Sequence, residues 1–346
     1  MSVAYYLIAA AGLALLMVIH EGGHYLAARR FGMRVSKFSI GFGPTLWKHK
    51  PKDSPTTYQV AVIPFLAYVQ IAGMNPYEEI DPKDPGSYAN ASLWARTVTI
   101  AAGPLMNYLF ASVLIFAGLV VGGERVTDET SMRVDVDQEG PAAAADVRDG
   151  DKIVSVNGEP VKNWDELKKA ISSHPGETID VVVEREGAEL HKAVTPAAKG
   201  AKNEGKILIG QYHTVAPISL AKAAKLAVIE PPLVVYLTVR GIGRWITGKE
   251  KAEVSGPVGI VKETARVAKL GPGELLRFLG ALSAYLGAFN LLPIPALDGG
   301  RLLFLGIEAA SRRKPNAKLE THVHAIGLLM LLGLIAIVSW FDVVRK

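Results

Sequence analysis

"LLMVIHEGGHYLAARRF", residues 15–31, places two histidines and a glutamate at the end of an apolar run that reads as a membrane span. On a helix, residues four apart share one face. His20 and His24 can therefore aim ring nitrogens at one metal ion, with Glu21 beside them in the H-E-x-x-H arrangement. A charged side chain deep in a spanning helix costs about 2.5–3.5 kcal/mol or more, so such groups normally face a cavity and carry function. The bland alternative is a pair of interfacial histidines near the membrane rim, since Arg29 and Arg30 follow closely. Gly22 and Gly23 each weaken a helix by about 1 kcal/mol relative to Ala. They leave room for another backbone, either a neighbouring helix or an extended substrate, or they serve ordinary small-residue packing.

Working outward, 49% of the 346 residues are hydrophobic and the mean hydropathy is +0.23, which puts part of the chain in lipid. There is no cysteine, so disulfides and thiolate metal sites are excluded and any metal must be held by His, Asp or Glu. The net charge of +5 is small. Its basic residues gather between apolar segments without interleaved aromatics, so no nucleic-acid partner is expected. Four segments read as spanning helices: Val3 to about Ala28, Thr97–Val121, Leu275–Leu297 and Ala325–Phe341. No basic residue precedes the first, which argues against a signal peptide. The first inter-span loop carries Arg29, Arg30, Arg34, Lys37, Lys48, Lys50 and Lys52 without an acidic partner, and the last carries Arg301, Arg312, Arg313, Lys314 and Lys318 against Glu308. The positive-inside rule puts both loops in the cytoplasm, and both chain ends and the long 122–270 region outside.

Two apolar stretches do not read as spans. "TTYQVAVIPFLAYVQIAGM", 56–74, is rich in β-branched and aromatic residues and interrupted by Pro64, which predicts a membrane-associated β-hairpin. "LAVIEPPLVVYLTVRGIGRWITG", 226–248, is split by Pro231 and Pro232 and carries Arg240 and Arg244, which predicts an interfacial amphipathic helix in preference to a fifth span. Within the outer region, strand-like runs and turn dipeptides surround one helix near Trp164–Ile171. "GPAAAADVRDGDKIVSVNG" there resembles a circularly permuted bacterial PDZ domain. Asp146 stands where such domains usually have Gly, and Asp tolerates a left-handed turn. A β-rich spacer without ligand is the alternative; a PDZ-like groove would bind an extended peptide or chain end by strand addition. The expected organisation is thus an N-terminal membrane region 1–121, a PDZ-like domain 122–200, a linker with the interfacial helix 201–274, and a C-terminal membrane region 275–346.

Zinc in a hydrolase usually takes three protein ligands, and the best third candidate is Asp298 in "FNLLPIPALDGGRLLF". The first and third spans are expected to run in the same direction with these groups near their inner ends. His20 lies roughly 26 Å along the helix from Val3, close to the cytoplasmic interface. Asp298 could instead merely open an Asp-Gly turn.

Together these elements resemble the site-2 protease family of intramembrane zinc metalloproteases, in particular the bacterial members with one PDZ domain. The resemblance rests on "HEGGH", "FSIGFGP", "AAGPLMNYLF", the PDZ-like module, "SGPVGI" at 255–260 and "NLLPIPALDGGRL", in order along most of the chain. It implies a multi-pass helical protein of the bacterial inner membrane in which His20, His24 and Asp298 bind one zinc ion and Glu21 is the catalytic base. It further implies that Asn290, Pro293 and Pro295 help hold substrate, with Asn107 close to the site. Implied substrates are proteins with a single membrane span, such as anti-sigma-factor-like regulators or remnant signal peptides, screened by the PDZ domain. Two readings from other classes remain: a membrane-tethered PDZ adaptor without catalysis, and a metal transporter. Neither accounts for H-E-x-x-H and Asp298 arriving at matching depth on one side of the membrane.

Overall fold

A computed structural model describes residues 2–344 except 64–66, 76–80, 128–130, 139, 200–203 and 249–255. Pro64 and Ser255, singled out in the sequence, lie outside the described residues. The chain divides into two units, Met1–Gly122 with Ile218–Lys346, and Gly123–Pro217.

The first unit opens with α1 (Val3–Arg30), whose N-cap Ser2 accepts from Ala4 N–H. There follow β1 (Val35–Ile40), β2 (Phe42–His49), β3 (Thr57–Ile63), β4 (Tyr68–Ile71) and α2 (Leu93–Gly122). The expected hairpin at 56–74 is instead two separated strands of a four-stranded sheet ordered β2-β3-β1-β4. β1 lies between them, parallel to β3 and antiparallel to β4. The segment has strand character with either neighbour, and β1, which precedes it in the chain, takes the central place and pairs with both strands, Gln59 Nε2 donating to Ser39 Oγ at 3.0 Å between β3 and β1.

The second unit holds β5 (Glu124–Thr127), β6 (Val134–Val136), α3 (Pro141–Ala144), β7 (Lys152–Val156), β8 (Glu159–Pro160), α4 (Trp164–Ser172), β9 (Ile179–Arg185), β10 (Ala188–Val194), β11 (Ala197–Lys199), β12 (Glu204–Lys206), β13 (Ile209–Gln211) and β14 (His213–Ala216). The sheet β10-β9-β7-β8 and α4 close over a core that includes Val134, Ile153, Leu167, Val181 and Val183. It is a PDZ-like α/β module. It runs beyond the expected limit at 200 because β13 and β14 return to pair with β6 and β5. Asp146 is left-handed, with φ +59°. Its carboxylate takes Lys192 Nζ at 2.7 Å and Arg148 Nε at 2.8 Å, an ion cluster that glycine could not make.

The chain returns through α5 (Leu220–Ile246), α6 (Pro257–Leu270), α7 (Pro272–Asn290), α8 (Asp298–Ser311) and α9 (Ala317–Val344). By length and composition, α1, α2, α5 and α9 are able to cross a membrane. Two expectations change here. α5 continues through Pro231 and Pro232 as one helix. The expected third span breaks at Asn290, and Asp298 opens a separate helix. α7 is less apolar than a lipid-facing helix because it lies inside the bundle. Its Gly273, Gly280 and Gly287, seven residues apart, press on Gly122, Ile115 and the Pro104 carbonyl of α2. That order makes α7 antiparallel to α2.

In the PDZ-like unit, Arg185 Nε donates to Asp151 Oδ1 at 2.7 Å, and Asp151 is buried. Burial pushes the Asp151 carboxyl up, but the Arg185 guanidinium and the Arg148 N–H bring it below the usual carboxylate range. A depressed carboxyl stabilises the fold above its unfolded value and loses that contribution as pH falls. Asp151→Asn is expected to cost about 3 kcal/mol at pH 7. The gap to wild type should narrow below about pH 4, read as thermal midpoints against pH.

Candidate metal centre

The C-terminal half of α1 carries His20 and His24 one turn apart, both buried against α2. Asp298 reaches them from the first turn of α8. Its Oδ2 lies 3.2 Å from His20 Nε2 and 3.3 Å from His24 Nε2, and the two Nε2 atoms are 3.3 Å apart. Among the described residues this is the one group of three or more such side chains close enough to share an ion. Ligands on a tetrahedron with bonds of about 2.0 Å stand about 3.3 Å apart, so the triangle has the dimensions of a four-coordinate zinc site.

The hydrogen bonds behind the ligands decide where the protons sit. His24 Nδ1 is 2.8 Å from Thr99 O; a carbonyl only accepts, so Nδ1 carries the proton and Nε2 presents a lone pair. His20 Nδ1 is 3.1 Å from the Asn107 side-chain amide. That buried amide has an oxygen without a partner, and turned by half a rotation it accepts Nδ1–H and leaves Nε2 unprotonated as well. Asp298 Oδ2 is likewise buried without a hydrogen bond. Three lone pairs at van der Waals distance repel one another unless a cation lies among them, so the donor set fits zinc.

Local sequence explains how the groups come so close. A Cβ on Gly23 would strike the Ala102 carbonyl, and one on Gly103 would strike the His24 ring, whereas Gly22 faces open space. Of the two readings of the glycine pair, helix packing therefore holds for Gly23. Pro104 lacks an N–H and interrupts the α2 ladder at Ile100; the neighbouring Thr99 carbonyl is the one that holds His24. Ser283 of α7 donates to Asn107 O at 2.9 Å and fixes that turn from behind. Gly299 and Gly300 pack so tightly on the carbonyls of Leu291, Leu292 and Ile294 that neither tolerates a side chain. Sequence reading missed Thr99, Gly103 and Ser283. Gly103-Pro104 inside an apolar helix was the available signal.

Glu21 stands beside the triangle, and Val69 of β4 lies close to its carboxylate. β4 is an edge strand among the described residues. A cavity of about 700 Å³, lined in part by Tyr68, Val69, Arg301 and His324, opens alongside. The residues expected to hold substrate are dispersed. Asn107 packs on His20 and supports the site. Asn290 turns its amide back to Leu286 O at 3.0 Å, Pro293 is exposed, and Pro295 rests on Gly327 of α9.

The family model described as Peptidase family M50 matches residues 8–334. The chain belongs to peptidase family M50. It is 31% identical to zinc metalloprotease RasP of Geobacillus kaustophilus, with 95% of each chain covered. It is 34% identical to a putative zinc metalloprotease of a Nostoc species, covering 95% of this chain and 93% of that one, and 31% identical to the regulator of sigma-W protease RasP of Bacillus subtilis, at 95% and 96%. A solved PDZ domain of an SdrC-like protein from Listeria monocytogenes is 23% identical with a TM-score of 0.21, covering 25% of this chain and 93% of that one. Membership of family M50 makes this protein a zinc metalloprotease, and the histidine–aspartate triangle is where its residues can hold that ion.

Within this M50 chain the two adjacent glycines should separate cleanly. Gly22→Ala has free space and is expected to leave zinc content unchanged while gaining up to about 1 kcal/mol of helix stability. Gly23→Ala and Gly103→Ala are expected to lose zinc and lower the thermal midpoint, measured by metal analysis and thermal unfolding in detergent. Asn107→Ala should weaken zinc binding about 10–100-fold, measured by chelator competition.

Proposed function

We propose that this protein hydrolyses peptide bonds within the membrane-spanning segments of other proteins, with His20, His24 and Asp298 holding zinc and Glu21 as the catalytic base. The observation that carries the reading is the near-equilateral triangle of donor atoms from His20, His24 and Asp298, with Glu21 beside it. Zinc, when bound, supplies a Lewis acid that activates water and polarises the scissile carbonyl. Glu21 takes the proton from the attacking water and delivers it to the leaving amine.

A substrate helix hides its peptide bonds, so it must unwind before attack. As an edge strand, β4 offers the unwound segment a strand to join beside Glu21, which makes the sheet, with Pro293 and Pro295 nearby, the substrate-holding device. Asn290 has its amide engaged within its own helix and contributes through that turn.

The proposed topology has α1, α2, α7 and α9 as the four spans, the zinc site near the cytoplasmic face of the bacterial inner membrane, and both termini with the PDZ-like unit outside. α5 begins beside Leu119, at the same end of α2 that meets the start of α7. The connection between them therefore returns to its own side. α6, with 14 residues, is about 21 Å long against a bilayer core of about 30 Å, so it cannot carry a full return. α5 is accordingly an interfacial helix, its exposed Leu233, Tyr236 and Leu237 lying on lipid.

Substrates are proposed to be single-span proteins of the anti-sigma-factor or remnant-signal-peptide kind. The PDZ-like unit would exclude those still carrying a large outer domain, or capture a peptide or chain end by strand addition. In a cleavage assay on a tagged single-span reporter, Glu21→Gln should lose at least about 10²-fold in rate while retaining zinc. An adaptor would tolerate that change, and a transporter would lose metal flux with no cut reporter in either variant.

A further inference from the structure

The sharp turn between α7 and α8 delivers Asp298 to the histidines, and it contains a strained residue. Pro293 and Pro295 fix φ at their own positions and bias Leu292 and Ile294 toward extended backbone. The reversal falls on Ala296, which adopts φ +75° although it is not glycine. An alanine in the left-handed region is disfavoured by contact between its Cβ and the following carbonyl, so something outside the turn must hold it. His324 of α9 does so, its Nδ1 accepting from Ala296 N–H at 2.9 Å. Accepting there fixes the ring as the Nε2–H tautomer. The imidazole packs at a tilt against Phe304 of α8, centroids 5.7 Å apart and ring planes at 45°. Its Cε1 would lie 3.2 Å from a Cβ on Gly300, so the ring also abuts the second glycine after Asp298. One turn further along α9, Gly327 receives Pro295.

We propose that His324 is a positioning residue for the metal centre: by holding Ala296 in its left-handed conformation, it sets where the Asp298 carboxylate lies relative to His20 and His24. The proposal rests on the reading of Asp298 as a zinc ligand. It also gives the last span a role that its sequence does not announce. α9 shares no side chain with the triangle, yet it supplies the contact that shapes the turn bearing the third donor. An N–H in a turn at membrane depth needs a protein partner, and His324 provides it while leaving Asp298 free of any direct bond to α9.

The test uses full-length protein in detergent, measuring zinc affinity by chelator competition and kcat and KM on a single-span reporter. His324→Leu is expected to weaken zinc binding about tenfold or more, the range for outer partners of a metal site, with kcat falling and KM little changed. His324→Asn, whose Oδ1 stands where His Nδ1 does, should restore affinity to within a few fold of wild type. So should Ala296→Gly combined with His324→Leu, since glycine adopts φ +75° without strain. Wild-type zinc affinity in His324→Leu, alongside loss of zinc in Asp298→Asn, overturns the positioning role while leaving the ligand reading intact. Loss in His324→Leu that neither His324→Asn nor Ala296→Gly repairs overturns it too, as a general packing defect. Retention of wild-type affinity by Asp298→Asn removes the ligand reading itself.

Discussion

Everything in the membrane unit answers to one constraint: three lone pairs must be held within about 3.3 Å of each other inside an apolar bundle, where their mutual repulsion and desolvation both oppose it. A zinc ion held by the three would remove the repulsion, but the scaffold has to resist relaxation before any ion arrives. It does so by close backbone approach. α1 and α2 meet through Gly23 and Gly103, and α2 and α7 through a seam of glycines seven residues apart. Buried polar bonds then fix each ring: Thr99 O on His24, Asn107 on His20, and Ser283 on Asn107. Packing and hydrogen bonding thus serve one end, and a substitution that widens either helix contact acts first on the ligands.

The four-stranded sheet is the second consequence. Its strands follow α1 in sequence, tied back to that helix by Tyr25 and Tyr58, whose hydroxyls are 2.5 Å apart. Because β1 takes the middle position, β4 is left at the edge of the sheet among the described residues, with Val69 close to Glu21. An edge strand is ordinarily a liability. Here it borders a cavity of about 700 Å³.

The PDZ-like unit obeys different physics. It has its own core and an ion cluster that runs from exposed Asp146 to buried Asp151, whereas the membrane unit relies on close packing. Asp146 illustrates how a departure from the usual glycine was absorbed: the left-handed turn is kept, and the carboxylate finds three basic partners, Arg148, Lys192 and Arg185.

Much of this was legible in the sequence, for identifiable reasons. The spacing of His20 and His24 follows from helical periodicity alone, and the apolar runs of α1, α2 and α9 declare themselves because lipid-facing residues must be apolar. Asp298 could be nominated from depth and residue type. What local pattern could not supply was partnership. The 56–74 segment has strand character whichever neighbour it takes, so nothing within it says that β1 will separate β3 from β4. The 275–297 run reads as one span, and nothing within it says that the helix ends at Asn290 and a new one opens at Asp298. Pro231 and Pro232 looked like a break because propensity counts lost hydrogen bonds and knows nothing of packing. Nothing in the sequence around His324 ties it to Ala296, 28 residues earlier. The sequence by itself determined the chemistry available and the depth at which it lies, since both depend on residue type and spacing along one helix. Only the tertiary structure decided which lone pairs meet, which strand lies close to Glu21 and which distant side chain holds Ala296, because those depend on residues far apart in the chain.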